Sequence, residues 1–440
     1  MDTENLRSES PDNRPNILFV FTDQQHFNAV SAFGNPHLHT PSMDWITREG
    51  VRFTNCYATD PVCAPCRSSI FFGRMPCETG VYKNELWPLE TLPTVGTWLS
   101  QNAGYRSVYC GKWHLFQSET FSIPGFEVIG TGANCEGNFT DSIITRACDA
   151  FLHSRTGDEP FFLVASYQQP HDICGWIDLN QYNAERLRYP EIAPELPPLS
   201  PTLRVSHAEP ELMRERRENN AGWKNNWSEE HWRYYEWSYN RQVEMVDAEI
   251  GRLFESLLQS PHARNTVVIF TSDHGEGLGR HGFQGKSVLY DEAARLPFVI
   301  WRPGHLPQGA TAHQLISALD FMPTVCGLAG ISPPEDMRLG RSIIPFAANP
   351  SAPSPEFVVA ACQANRGRMV RSMKMKYIVF SNDPVEMLFD MEADAGETVN
   401  LADNPDYSEE LQWHRDTLVK WEREMVYAPG VPPFVMPFPH

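Results

Sequence analysis

The apolar stretch Asn16-Ile-Leu-Phe-Val-Phe-Thr22 decides the fold class of this chain, and it ends directly before Asp23 and Gln24. Three further runs are also apolar, rich in β-branched or aromatic residues, and followed closely by polar side chains: residues 105–111, 161–166 and 266–272. Such runs are typical of strands buried on both faces, as in a parallel sheet covered by helices. The sequence therefore predicts an α/β fold with a large, mostly parallel sheet sandwiched by helices.

Helices are predicted between these strands. A long crossover helix is indicated by one apolar stripe at helical spacing, formed by Tyr239, Val243, Val246, Ile250, Leu253, Phe254 and Leu257. Residues 92–103 suit another helix ahead of the second strand, with Pro93 tolerated in the first turn.

Two domains are predicted. Residues 1–345 would form the large catalytic α/β domain, in which the weakly periodic segment 176–228 is an insertion near the mouth of the site. A stretch rich in Pro, Ser and Ala at 349–355 then precedes shorter alternating runs such as 376–380. Residues 346–440 are therefore predicted to form a smaller C-terminal subdomain, an antiparallel sheet with one helix.

Composition excludes several classes of partner. The formal net charge is -19, whereas nucleic acid or an anionic membrane would need a broad basic surface. No run of about twenty apolar residues is present that could span a membrane, and Met1–Pro15 lacks the apolar core of a signal peptide. The sequence as given predicts a cytoplasmic protein, or a periplasmic or secreted one if a leader was removed, and it leaves the oligomeric state open.

Polar residues follow each predicted strand at its carboxyl end, where open parallel sheets bind ligands. Asp23 with Gln24 follows the first strand, and Asp273 with His274 follows the fourth. An Asp after a strand often caps the next helix, but both occurrences here have a second potential ligand beside them. These mostly hard oxygen donors suit Ca²⁺ or Mg²⁺ better than a soft metal.

The segment Cys63-Ala-Pro-Cys-Arg67 admits two interpretations. Two thiols at this spacing at the start of a helix can exchange with disulfides. A redox motif would, however, follow its own strand in a compact domain of roughly a hundred residues, whereas this one follows the loop 57–62.

The alternative is that the segment resembles the C-x-P-x-R signature of the type I sulfatases, the formylglycine-dependent family of the alkaline phosphatase superfamily. Other segments resemble that family in the same order along the chain, from about residue 14 to about residue 425, with 176–228 as the main interruption. They are residues 14–24, 40–44, 49–55, 111–114, 170–171, 271–276, 281–282, 285–286, 388–392 and 400–401.

The resemblance implies a complete set of site residues. A formylglycine-generating enzyme would oxidise Cys63 to formylglycine, beside a divalent metal that is Ca²⁺, with Mg²⁺ or Mn²⁺ as alternatives. The metal ligands would be Asp23, Gln24, Asp273 and His274. The residues around the formylglycine hydrate and the sulfate would be Arg67, Lys112, His114, His171 and Lys286.

These roles are consistent with the chemistry of a hydrated aldehyde. One hydroxyl of the hydrate, acidified by the metal, can attack sulfur and expel the alcohol; collapse of the hemiacetal then releases sulfate and restores the aldehyde. His171 or Lys286 would donate a proton to the leaving oxygen, and His114 would act as base in the collapse step.

Three positions depart from the usual pattern of the family. Cys66 stands where a small residue is usual and could block maturation by forming a disulfide with Cys63. Phe72 replaces the usual Thr before Gly73. Gln24 replaces a second Asp, a pattern that also occurs in relatives that cleave phosphonate monoesters and phosphodiesters. The resemblance therefore specifies the catalytic residues better than it specifies whether the substrate is a sulfate ester or a phosphorus ester.

The resulting hypothesis is a sulfatase that acts on small carbohydrate sulfate esters, either sulfated oligosaccharides or glycosaminoglycan fragments, in an exo mode. Four tryptophans in and after the insertion, whose rings could stack on sugars, support it: Trp176, Trp223, Trp227 and Trp232. The alternatives are a phosphonate monoester or phosphodiester hydrolase, or an aryl- or choline-type sulfatase, on the same machinery. A catalytically inactive carbohydrate-binding relative would lack at least one site residue, and none is missing.

Overall fold

The four apolar runs form neighbouring strands of one large sheet. The computed structural model describes residues 14–115, 122–130, 136–155, 157–182, 191–205 and 207–438. The strands of this sheet are β1 (Asn16–Asp23), β2 (Val51–Tyr57), β3 (Arg106–Gly111), β4 (Glu127–Val128), β5 (Phe161–Pro170), β6 (Thr266–Ser272), β7 (Arg295–Trp301) and β8 (Ala310–Ser317). Their order is β4-β3-β5-β1-β6-β7-β2-β8. The β6–β7 and β7–β2 pairs are antiparallel and the others parallel, which confirms the predicted mostly parallel sheet.

Helices cover both faces of this sheet. The helices of the described residues are α1 (Pro41–Glu49), α2 (Cys63–Phe72), α3 (Pro76–Thr79), α4 (Val95–Ala103), α5 (Gly137–Ser154), α6 (Ile173–Asn180), α7 (Glu211–Glu218), α8 (Ala221–Lys224), α9 (Glu229–Gln259), α10 (Asp291–Ala294), α11 (Phe321–Leu328), α12 (Ile344–Ala348) and α13 (Ser408–Glu424). Side chains of β1 alternate between two cores: Phe19 packs with α2, α4 and α11, and Val20 packs with α1, α5 and α9. A strand apolar on both faces requires such a sandwich.

The predicted crossover helix is confirmed as α9, which buries every residue of the predicted stripe. It begins after Ser228, whose side chain accepts from the backbone N–H of His231 and so caps the first turn. The helix predicted over 92–103 begins later, at Val95, because Thr94 caps it and Pro93 lies ahead of the cap. Among the described residues, no helix combines the length and the apolar character needed to cross a bilayer.

A second, antiparallel sheet follows the first, as predicted. Its strands are β9 (Phe357–Cys362), β10 (Gly367–Ser372), β11 (Met375–Phe380) and β12 (Met387–Asp390), in the order β12-β11-β10-β9. One face packs against α13 through Leu418 and Trp421, and the other packs against the main domain around Tyr290. The boundary predicted at 345 falls inside α12, whose Ala347 belongs to a core of the main sheet.

The segment 176–228 contains α7 and α8, while residues 183–190 and 206 of this predicted insertion lie outside the described residues, as do residues 1–13 at the N-terminus. Its second half packs on the loop that carries Lys286. Arg216 Nη2 donates to the Lys286 carbonyl at 3.2 Å, and Trp223 Nε1 donates to the Gly282 carbonyl at 2.6 Å. The insertion therefore supports one of the predicted site residues from outside the sheet.

Candidate active site

The carboxyl ends of β1 and β6 bring the two predicted acidic ligands together. These strands are parallel neighbours, so Asp23 and Asp273 emerge at the same edge of the sheet. Asp23, Cys63, Asp273 and His274 are fully buried, and one potential ligand atom from each lies within 4.8 Å of all the others. Four residues from three distant segments of the sequence thus form one compact cluster.

Cys63 is the first residue of α2. Its position at the N-terminus places it at the positive end of the helix dipole, beside backbone N–H groups without intrahelical partners. One of them, the N–H of Ala64, donates to Asn84 Oδ1 at 3.1 Å. The start of α2 is therefore electrostatically suited to an anionic group at residue 63.

Three charged or polar side chains contact the Cys63 sulfur. Lys286 Nζ lies 2.7 Å from Sγ, His274 Nε2 lies 3.1 Å away and Asp23 Oδ1 lies 3.6 Å away. Burial and Asp23 raise the pKa of the Cys63 thiol, but Lys286, Lys112 and His274 outweigh them, so this pKa falls well below its ordinary value. The environment stabilises negative charge at this position.

Arg67, one turn further along α2, is fully buried and links the two acidic ligands. Its Nη2 donates to Asp23 Oδ2 at 2.9 Å and its Nε to Asp273 Oδ2 at 2.8 Å. Its Nη1 donates to the Lys112 carbonyl at 2.7 Å and to Ser166 Oγ at 3.0 Å. A buried guanidinium whose three nitrogens all donate to partners holds the cluster together.

Lys112, which follows β3, adds a second cation to the same carboxylate. Its Nζ lies 2.7 Å from Asp23 Oδ2. Burial raises the pKa of Asp23, but the charges of Lys112, His171 and Arg67 lower it by more than burial raises it. The pKa of Asp23 is therefore well below its ordinary value. Asp23 is therefore ionised.

The donor set fits a hard divalent cation. Arg67 and Lys112 occupy the Oδ2 atoms of the carboxylates, so Asp23 Oδ1 faces Cys63. His274 Nε2 lies 3.6 Å from Asp273 Oδ1 and approaches the same sulfur. Carboxylate oxygens with one imidazole suit Ca²⁺, Mg²⁺ or Mn²⁺.

Gln24, the fourth predicted ligand, joins this cluster through Lys286. Its Oε1 accepts from Lys286 Nζ at 2.8 Å, the same ammonium that contacts Cys63. Its backbone N–H donates to Asp273 Oδ1 at 3.0 Å. Its φ of 70° lies in the left-handed region, which is uncommon outside glycine and recurs at functional sites.

The two remaining histidines are placed differently. His171 follows β5 and lies near enough to Asp23, Lys112 and Lys286 to interact electrostatically; burial lowers its pKa to about 3. His114 also has a left-handed φ, of 62°, and its buried Nδ1 has no hydrogen-bond partner among the described residues. Direct contacts thus connect eight of the ten predicted residues, while the structure records no contact that joins His114 to them.

Several residues that were not predicted to belong to the site complete it. Glu276 is fully buried and accepts from Gln24 Nε2 at 2.5 Å. Tyr239, on α9, donates to the Gln24 carbonyl at 2.8 Å, and Cys174 Sγ lies 3.6 Å from Gln24 Nε2. Glu276 could have been found, since it belongs to the segment 271–276 that resembles the family, whereas nothing local marks Tyr239.

Cys63 and Cys66 are both free thiols, so the disulfide considered from the sequence is not formed. Cys66 belongs to a hydrophobic core, and burial raises the pKa of its thiol above the ordinary value. The two thiols of the motif thus have opposite environments.

The tryptophans expected to stack on sugars are only partly available. Trp227 and Trp232 are 7% and 6% exposed and belong to a hydrophobic core, with Trp227 stacked on the His231 ring. Trp176 lines a cavity of about 490 Å³ that also contains His171 and Cys174. The expectation is therefore wrong for Trp227 and Trp232, because the Trp227 ring packs against Trp232 and His231 of α9.

Two family profiles match this chain. The profile described as Sulfatase matches residues 15–331, and one described as N-sulphoglucosamine sulphohydrolase, C-terminal, matches residues 279–424. A Delta 4,5-hexuronate-2-O-sulfatase from Bacteroides thetaiotaomicron is 31% identical over 435 residues, which cover 92% of this chain and 88% of the relative.

Solved structures resemble the whole fold. One, of a 2-O GAG sulfatase, has a TM-score of 0.82 and 29% identity and covers 96% of this chain and 98% of its own. The phosphonate monoester hydrolase of Agrobacterium radiobacter has a TM-score of 0.76 and 19% identity, with 93% and 96% covered. The second likeness concerns the fold alone.

Proposed function

The chain belongs to the sulfatase family and is a sulfuric ester hydrolase, and from that premise we propose that it hydrolyses sulfate esters of carbohydrates. The substrates proposed are small sulfated oligosaccharides or glycosaminoglycan fragments, cleaved in an exo mode. The catalytic group proposed is formylglycine, made from Cys63 by a formylglycine-generating enzyme and assisted by a divalent metal, Ca²⁺ in the first instance.

The single observation that carries the mechanism is the environment of Cys63. In the unmodified chain, Sγ marks the position of the proposed formylglycine side chain, at the start of α2 and in contact with Lys286 and His274. Formylglycine would supply a hydrated aldehyde whose hydroxyl attacks sulfur. A nucleophile that must carry negative charge benefits from the helix N-terminus and the ammonium that surround Sγ.

The metal would be held by Asp23, Asp273, His274 and Gln24. When bound, it would acidify an oxygen nucleophile and stabilise negative charge as a Lewis acid. Asp23 and Asp273 bring negative charge to this point, and Arg67 keeps both carboxylates in place through separate nitrogens. Three of the four proposed ligands, Asp23, Asp273 and His274, therefore already bring potential ligand atoms close together.

The remaining residues would bind the anion and move protons. The ammonium groups of Lys112 and Lys286 lie close to Asp23 and Cys63 respectively, where they would neutralise sulfate oxygens. His171 or Lys286 would give a proton to the leaving oxygen, and His114, whose Nδ1 has no partner among the described residues, would accept one.

A carbohydrate substrate is supported by the cavity beside His171, whose volume of about 490 Å³ suits a small ligand. Gln169 and Gln242 line it, and the Oε1 atom of each is buried without a hydrogen-bond partner among the described residues. A buried acceptor without a partner favours a ligand that donates hydrogen bonds, as sugar hydroxyls do. The names of the 2-O GAG sulfatase and the hexuronate sulfatase point to the same class.

A phosphonate monoester or phosphodiester hydrolase is the second candidate, favoured by Gln24 in place of a second acidic ligand. Turnover of a sulfated disaccharide, an aryl sulfate, choline sulfate, a phosphodiester and a phosphonate monoester by one preparation separates the candidates. The sulfated sugar should have the highest kcat/KM. A higher value for the phosphonate or the diester would replace the proposal, and aryl or choline sulfate as the best substrate would refute the carbohydrate class.

Modification of Cys63 is tested separately by mass spectrometry of the tryptic fragment 53–67. The proposal requires an aldehyde in place of the Cys63 thiol in active protein. An unmodified thiol, or a Cys63–Cys66 disulfide, in fully active protein would refute the mechanism.

A further inference from the structure

We propose that Glu276 is a positioning residue that makes Gln24 bind the metal through oxygen and anchors the turn that carries Lys286. This inference rests on the proposed function, because it concerns the same metal site. Glu276 follows β6 and is fully buried. A buried carboxylate is costly unless its oxygens accept several hydrogen bonds.

The two carboxylate oxygens of Glu276 have separate partners. Oε2 accepts from Gln24 Nε2 at 2.5 Å. Oε1 accepts from the Tyr235 hydroxyl and from the backbone N–H of Gly285. One oxygen thus contacts the predicted metal ligand, and the other holds the residue next to Lys286.

The polarity of these contacts decides which end of the Gln24 amide faces the site. An amide can present either its oxygen or its nitrogen, whereas an ionised carboxylate only accepts. Glu276 therefore draws the NH₂ group of Gln24 toward itself. The Gln24 oxygen is left on the opposite side, where it accepts from Lys286 Nζ beside Cys63.

Glu276→Gln would leave the shape of the side chain almost unchanged, but the carboxylate that orients the Gln24 amide would be lost. If the new Oε1 kept its bonds from Tyr235 and Gly285, the new NH₂ would face the NH₂ of Gln24. The clash is relieved when the Gln24 amide turns over, which puts a nitrogen donor in place of the oxygen ligand. Calcium is bound by oxygen and would be bound more weakly.

A reversed pair should restore the geometry. In the double variant Gln24→Glu with Glu276→Gln, the amide at 276 donates to a carboxylate oxygen at 24, and the other oxygen still faces the site. The net charge of the pair is unchanged. Gln24→Glu alone would place two carboxylates against each other and should bind calcium as weakly as Glu276→Gln.

The test is calorimetric titration of Ca²⁺ into the metal-stripped full chain, with thermal melting to verify that each variant is folded. Loss of a residue that orients a ligand typically weakens metal affinity about 10- to 100-fold. We expect that loss for Glu276→Gln and recovery to within about threefold of the wild-type affinity for the double variant. Tyr235→Phe is the matched control, since it removes one bond to Glu276 and leaves Gln24 paired.

Each outcome has a defined meaning. Wild-type affinity in Glu276→Gln, an equal loss in Tyr235→Phe, or no recovery in the double variant would overturn the inference and leave the proposed function intact. Failure of the wild-type chain to bind Ca²⁺ would overturn the proposed calcium site and the inference together. If Glu276→Gln does not fold, the comparison of Gln24→Glu with the double variant decides, because recovery there requires the reversed hydrogen bond.

Discussion

Lys286 Nζ lies 2.7 Å from Cys63 Sγ although 223 positions separate the two residues. The lysine is held there by its neighbours: Gln24 Oε1 accepts from the same ammonium, and Arg216 of the insertion donates to its carbonyl. Burial lowers the pKa of Lys286, but Cys63 and Asp23 raise it above the ordinary value, so the amine is protonated beside Cys63.

Lys286→Ala should reduce kcat by about 100- to 1,000-fold, the usual cost of losing one preorganised group that stabilises transition-state charge. Formylglycine formation, followed by mass spectrometry, should be unaffected. Lys420→Ala, which removes an exposed lysine on α13, is the matched control. A Lys286→Ala variant with at least a tenth of wild-type kcat would show that this ammonium does not act on the reacting group.

Cys63→Ala should abolish sulfatase activity, whereas Cys66→Ala should keep kcat near the wild-type value. The reason is that Cys63 lies among charged groups, whereas Cys66 packs in a hydrophobic core. Cys66→Ala should therefore lower only the free energy of unfolding, by about 1 kcal/mol. Steady-state kinetics and urea denaturation measure the two effects. Full activity of Cys63→Ala, or inactivity of a folded and modified Cys66→Ala, would contradict this assignment.

Gln242→Ala should lower kcat/KM for the sulfated sugar by about 3- to 10-fold and leave kcat/KM for an aryl sulfate unchanged. Gln242 Oε1 lacks a hydrogen-bond partner among the described residues and would accept from the sugar. The substitution should therefore cost one hydrogen bond to the substrate, about 1 kcal/mol. Gln308→Ala, at an exposed position bonded to Glu49, is the control. Equal losses on both substrates would show that the cavity beside His171 does not bind the sugar.

His281 should make stability depend on pH. Burial lowers the pKa of His281, but Glu292 and Glu397 raise it to about 9 in the folded chain. Because the unfolded value is about 6.5, the stabilisation is complete below pH 6.5 and is lost as pH rises through about 9. Glu292 Oε1 lies 2.7 Å from His281 Nδ1. Other groups that face the ring or its backbone are His207, Tyr290 and Arg217.

His281→Gln isolates this contribution. At about pH 6 the wild-type chain should exceed the variant in free energy of unfolding by on the order of 3 kcal/mol, a difference that should shrink above about pH 9. Chemical denaturation at both pH values measures it. A difference independent of pH would mean that the His281 charge does not stabilise the fold.

Local patterns in the sequence were enough to predict the main elements. β1 and the apolar stripe of α9 are encoded by neighbouring residues, because burial on both faces of a strand or along one face of a helix requires a short-range pattern. The positions of Asp23 and Asp273 followed as well, since parallel strands deliver their carboxyl ends to one edge.

Other features depend on partners that no local pattern specifies. Trp227 lies in a polar, Trp-rich stretch that suggested contacts with sugars. Its ring is buried because it packs against α9 and Trp176. Glu276 and Tyr239 contact Gln24 from different elements, and no local pattern predicts that either side chain reaches Gln24.

By itself, the sequence determined four buried strands, the long crossover helix, the residues at the strand ends and the family they resemble, because these depend on periodicity and motif. Only the tertiary structure decided that Lys286 contacts Cys63, that Arg67 joins Asp23 to Asp273, and which way the Gln24 amide points. The physical reason is that a hydrogen bond between buried groups is set by distance and donor polarity, and both arise only when elements far apart in sequence have packed together.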